Sequence, residues 1–141
     1  MPHLKITNGK PEAYSIRRLR EDNPGTSFPE YLSDTLLADW GVYPYAIQDV
    51  PDYDRLTQTA KVGDFAEVVG AWTQGWEISN LAPEDAATNI RNRRDALLSQ
   101  TDWMGLNDVI MEPYWLEYRQ QLRDVTAQDG FPFNVVWPTK P

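Results

Sequence analysis

The chain has 141 residues, with 13 Lys and Arg against 21 Asp and Glu, which leaves a net charge of −8 at neutral pH. With no cysteine it lacks the side chains for disulfides, thiolate nucleophiles and thiolate metal sites, and its single histidine, His3, lies in a terminus expected to fray, so a histidine-based triad is not expected. The acidic balance disfavours phosphate-backbone binding, and no uninterrupted apolar run approaches the ~20 residues that span a bilayer.

The opening Met1-Pro2-His3-Leu4-Lys5 runs into polar sequence and not into the apolar stretch of a secretory signal. Asn8-Gly9 marks a turn. Tyr14, Ile16 and Arg18 alternate as in a strand, while Ile16 and Leu19 suit a helical turn equally well. Asp22-Asn23-Pro24-Gly25 is a second turn. A short helix is expected over 33–40, with Ser33 as its cap, Leu36, Leu37 and Trp40 on one face, and Gly41 just past its end. Residues 41–47 are extended, but Pro44 predicts an edge strand or a segment outside the sheet.

Leu56, Gln58, Ala60 and Val62 alternate with Thr57, Thr59 and Lys61 as a strand, with a bend at Gly63-Asp64. Gly70-Ala71 is a two-residue hairpin candidate, followed by Trp72, Gln74, Trp76 and Ile78 on one strand face. The second half changes to helical patterning. Pro83 suits the first helical position and Glu84 and Asp85 its positive end. Ala87, Ile90, Leu97 and Leu98 form a stripe to about Ser99, with Arg91, Arg93 and Arg94 outward and Arg91 paired to Asp95. Thr101-Asp102-Trp103 breaks the helix, and residues 104–110 connect. A further helix is expected from Pro113, with Trp115, Tyr118, Leu122 and Val125 on one face and Gly130 at its end. The tail from Phe131 to Pro138 is apolar enough to pack on the fold or on a partner.

No constellation selects a reaction. Asp49, Asp52 and Asp54 lack the spacing of a calcium loop and read as solvated loop acids. Glu112 and Glu117 have no spacing that marks a glycosidase acid pair, and helix-surface charge accounts for them. There is no G-x-S-x-G and no phosphate-binding glycine loop. No catalytic, cofactor-binding or metal-ligating residue is therefore assigned, and no cofactor is expected. The aromatic content is the unusual feature, and aromatic side chains anchor interfaces. Trp40, Tyr43, Tyr45, Trp72, Trp76, Phe131, Phe133 and Trp137 are the candidate partner-binding residues.

Two blocks carry a resemblance. The first runs Asn89-Ile90-Arg91-Asn92-Arg93-Arg94-Asp95-Ala96-Leu97-Leu98-Ser99-Gln100-Thr101-Asp102-Trp103. The second runs from Trp115 through Tyr118, Arg119, Gln120, Leu122, Arg123 and Asp124, then Gly130-Phe131-Pro132 and Trp137-Pro138. Residues 81–138 resemble the phage tail assembly chaperone family in the order and spacing of these blocks. The first half is more weakly similar to a leader joined to such domains, at Tyr14 to Leu19, Asn23-Pro24, Ser27-Phe28-Pro29, Leu36 to Pro44 and Gly70 to Gln74. The connection at Gly105 to Glu112 departs from the family pattern, whose loops there are more polar.

The resemblance implies a non-enzymatic helper, encoded with tail or tail-fibre genes, that helps subunits fold, trimerise or attach. It carries no catalytic residues. The expected fold is α+β. Residues 1–80 form a small β hairpin or meander with a short helix, and residues 81–141 form a helical hairpin with an apolar tail. The expected partner is a phage tail fibre or other tail protein, trimeric in the fibre case, with neither nucleic acid nor membrane as partner. The expected location is the host cytoplasm during assembly. An adaptor or accessory retained on the fibre or baseplate is the alternative.

Overall fold

A computed structural model describes residues 1–141. The fold is mixed α+β, with a five-stranded sheet and four α-helices. The chain divides into two compact units, Met1–Asp52 with Ala60–Glu77, and Tyr53–Thr59 with Ile78–Pro141.

The first unit is built on the sheet. Strands β1 (His3–Thr7) and β2 (Lys10–Ala13) pair antiparallel across Asn8-Gly9, both with positive φ, as a tight hairpin turn requires. Composition hid these strands, because Met1 to Glu12 is polar and only Leu4 is fully buried. Ser15 settles the next segment as a helix. Its hydroxyl accepts the Arg18 amide and caps α1 (Ile16–Asp22), so the alternation of Tyr14, Ile16 and Arg18 is not a strand. Helix α2 (Asp34–Asp39) is capped by Ser33 in the same way, and Gly41 follows it with a φ of 69°. Tyr14, Leu19, Leu37 and Val42 form the core here, with Ile16, Phe28, Leu32 and Trp40 packed against it.

Strand β3 (Val42–Ile47) corrects the expectation raised by Pro44. It is the central strand of the order β2-β1-β3-β5-β4, where β4 is Gln58–Val68 and β5 is Ala71–Asn80. Its two ladders are staggered. His3, Leu4 and Lys5 pair antiparallel with Pro44, Tyr43 and Val42, whereas Tyr45, Ala46 and Ile47 pair parallel with Trp72, Thr73 and Gln74. The Tyr45 amide donates to the Pro2 carbonyl on the β1 side, and successive strand amides point to opposite sides. The Pro44 nitrogen therefore faces β5 one residue before that ladder begins, so no bond is lost.

The β4–β5 turn is Val69-Gly70, one residue earlier than Gly70-Ala71, with φ of 51° and 76°. The geometry matches Asn8-Gly9, but a β-branched residue occupies the first left-handed position, and Val69 is fully exposed.

In the second unit, helix α3 (Pro83–Ser99) starts on Pro83 with Glu84 and Asp85 in its first turn. A short 3-10 turn, Asp102–Gly105, follows it. Helix α4 (Pro113–Arg123) ends in another, Asp124–Ala127, rather than continuing to Gly130. The apolar side chains buried here are Ala86, Ala87 and Ile90 of α3, and Tyr118, Leu122 and Val125. The segment Tyr53–Thr59 is tied in by hydrogen bonds: Leu81 N–H to the Thr57 carbonyl at 2.8 Å, and the Asn89 side-chain amide to the Leu56 carbonyl at 3.0 Å.

Candidate functional site

The aromatic residues singled out by sequence fall into separate places. Trp40 is half-buried, edge-on to Phe28 with ring centroids 5.2 Å apart. Tyr45 is only 7% exposed and meets Phe65 edge-on at 4.9 Å. The register that sets Tyr45 opposite Trp72 brings three candidates together. Tyr43, Tyr45 and Trp72 line a groove of about 250 Å³ with Pro44, Ala46 and Ala71. Trp76 is half-buried, and its indole N–H donates to the Gln48 carbonyl at 2.8 Å.

Phe131 lies under the Arg91 guanidinium, 5.5 Å from its ring centroid, and the two share a recess of about 410 Å³ with Pro83, Ala87 and Thr88. Arg91 therefore faces the tail, and Asp95 pairs instead with Arg94 at 2.8 Å. Phe133 is half-buried. Trp137 lines a smaller recess with Gln121, Gln128 and Pro138. The tail is held there by one side-chain amide: Gln128 donates to the Val136 carbonyl and accepts the Val136 N–H, both at 2.8 Å.

Charged and polar groups fix the surroundings. The Asp54 carboxylate accepts the Leu56 amide and the Thr57 hydroxyl, each at 2.9 Å, so it closes a local turn. The Glu117 carboxylate accepts from the Gln121 side-chain amide. Burial lowers the His3 pKa, assisted by the N-terminal charge and opposed by Asp34. The Tyr14 phenol is pushed up to about 12, first by burial and then by its 2.6 Å hydrogen bond to Asp22.

The densest polar junction is one that sequence reasoning missed. The Arg119 guanidinium donates to the Leu98 carbonyl at 2.9 Å, the Thr101 hydroxyl at 2.6 Å and the Asp102 carboxylate at 2.9 Å. The buried Thr101 hydroxyl donates in turn to the Leu98 carbonyl. The two blocks that carried the resemblance thus meet physically, Leu98, Thr101 and Asp102 from the first and Arg119 from the second.

Residues 87–141 match the family model for the phage tail assembly chaperone protein. The C-terminal resemblance read from the sequence is thereby upheld. No curated protein matches the chain, and no solved structure does. The phage tail assembly chaperone match begins inside α3 and takes in the whole Arg119 junction, α4 and the apolar tail. The family is described by a role in assembly and not by a reaction.

Sequence reasoning also passed over the most exposed apolar residues. They include Tyr31, Val69, Trp103, Leu106, Ile110 and Tyr114. The signal available was an apolar loop, residues 104–110, read there only as a connection.

Proposed function

We propose that this chain is a phage tail assembly chaperone that acts through protein contacts alone. It helps tail or tail-fibre subunits fold, oligomerise or attach, and its place of action is the host cytoplasm during assembly. Residues 81–141 work as a helical hairpin locked by Arg119, and residues 1–80 as an appended β-rich part. The single observation that carries the reading is the match of residues 87–141 to the chaperone family. The aromatic groove at Tyr43, Tyr45 and Trp72 and the tail at Phe131, Phe133 and Trp137 are its proposed partner contacts, together with Trp40 and Trp76.

Co-expression with the tail and tail-fibre genes of the same phage tests the reading. A rise in the soluble or oligomeric yield of one of them is expected, and no change in any of them overturns it. Mass spectrometry of purified particles against the infected-cell lysate then separates a chaperone that departs from an adaptor that stays. The departing chaperone is abundant in lysate and absent from particles.

A further inference from the structure

The connection between α3 and α4 presents apolar side chains to solvent. Trp103 is 56% exposed, Leu106 58%, Ile110 91% and Tyr114 54%. Successive tight turns keep this stretch compact. The Thr101 carbonyl accepts the Met104 amide at 3.1 Å, Trp103 that of Leu106 at 3.2 Å, and Leu106 that of Val109 at 3.0 Å. Arg119 pins the segment to α4 just before it begins, through Thr101 and Asp102. Apolar groups held out in water in this way lose the gain of burial until a partner supplies it.

Charge decides what that partner is. Between Asp102 and Arg119 the chain carries Asp108, Glu112 and Glu117 and no Lys or Arg. Asp102 is already paired, while the Glu112 side chain makes no hydrogen bond to its helix. A second copy docked through the same face would bring the same three carboxylates, and an anionic lipid surface or nucleic acid would be repelled likewise. A segment that combines apolar anchors with Lys or Arg gains on both counts.

We propose that this connection docks a basic amphipathic segment of a tail protein, with apolar side chains on Trp103, Leu106 and Ile110 and cationic ones on Asp108 and Glu112. The identity of the partner as a tail protein rests on the chaperone reading; the chemistry of the surface does not.

The test uses the full chain, isotopically labelled for NMR, and two synthetic amphipathic helix peptides, one of Leu and Lys and one of Leu and Glu. The Leu/Lys peptide is expected to shift the amides of residues 103–118, and its affinity to fall roughly tenfold between about 50 and about 300 mM salt. The double variant Asp108→Lys with Ile110→Ser, both exposed and outside the core, is expected to keep the native spectrum elsewhere and lose binding at least roughly tenfold. Equal binding of the Leu/Glu peptide, shifts that map elsewhere, or no binding of either peptide overturns the proposal. In co-expression, a double variant as effective as the wild type overturns the docking assignment and leaves the chaperone reading standing. A wild-type chain without effect on any tail protein removes the tail protein as partner, and the peptide result then judges the surface alone.

Discussion

The Arg119 guanidinium reaches from α4 to the Thr101 hydroxyl at 2.6 Å, and that hydroxyl spends its own proton on the Leu98 carbonyl. The side chain of Arg119 is only 13% exposed. A cation sheltered to that degree depends on its three acceptors, and they depend on it. Arg119→Ala is expected to cost about 1.5–3 kcal/mol, the range for hydrogen bonds to charged groups. Thr101→Val, which keeps the shape and removes the hydroxyl, should cost about 1–3 kcal/mol. The measurement is the urea midpoint at unchanged slope. Arg119→Lys should recover only part of the loss, since one ammonium cannot copy the planar fork.

Tyr14 ties stability to alkaline pH. Its phenol is held up at about 12 by burial and by Asp22, against about 10 in an unfolded chain. The folded state keeps that proton over a window where the unfolded state has lost it. The contribution is therefore complete below about pH 10 and is lost as pH rises towards 12. Tyr14→Phe has no proton to lose, so the stability difference between wild type and variant should shrink across pH 10–12 and stay constant below.

Asn8 and Val69 occupy equivalent turn positions, with φ of 53° and 51°. Asn tolerates this conformation and a β-branched residue does not. Val69→Asn should raise stability by about 1 kcal/mol, and Asn8→Val should lower it by a similar amount. Val69 is fully exposed, so no packing is lost in the exchange. Thermal melts of both variants, side by side, check the symmetry.

The Val136 amide has the Gln128 side chain as its acceptor. Gln128→Ala should leave α4 intact and accelerate hydrogen exchange at Val136. Gln128→Glu keeps an acceptor and drops the donor, so it should protect that amide while loosening the Val136 carbonyl. Exchange rates read residue by residue separate the two variants.

Local signals made several elements legible. Ser33 and Gly41 bracket α2, and Pro83 and Pro113 open α3 and α4, because caps and first turns depend on residues a few positions apart. What the sequence hid depends on distant partners. Strand β1 is polar and acquires its meaning only beside β3, far along the chain. Arg119 sits next to the buried Tyr118, and no local pattern names its partners, since its three acceptors lie 17 to 21 residues earlier. Composition pointed to aromatic residues as contacts, yet Tyr45 is buried, and the barest apolar groups include aliphatic ones outside helices and strands, such as Val69 and Ile110. Periodicity has nothing to say about a turn, so the connection between α3 and α4 offered only its apolar composition as a signal.

Pro44 acts as a key as well as a tolerated exception. A one-residue slip of β3 would reverse the direction of each amide and aim the proline nitrogen at β1. A carbonyl of β1 would then be left without its donor, at roughly 1–3 kcal/mol. One imino acid in the middle of the sheet therefore penalises every odd-numbered slip of the strand that joins the antiparallel side to the parallel one. The same residue would mark the correct assembly of this sheet from its misaligned competitors during folding.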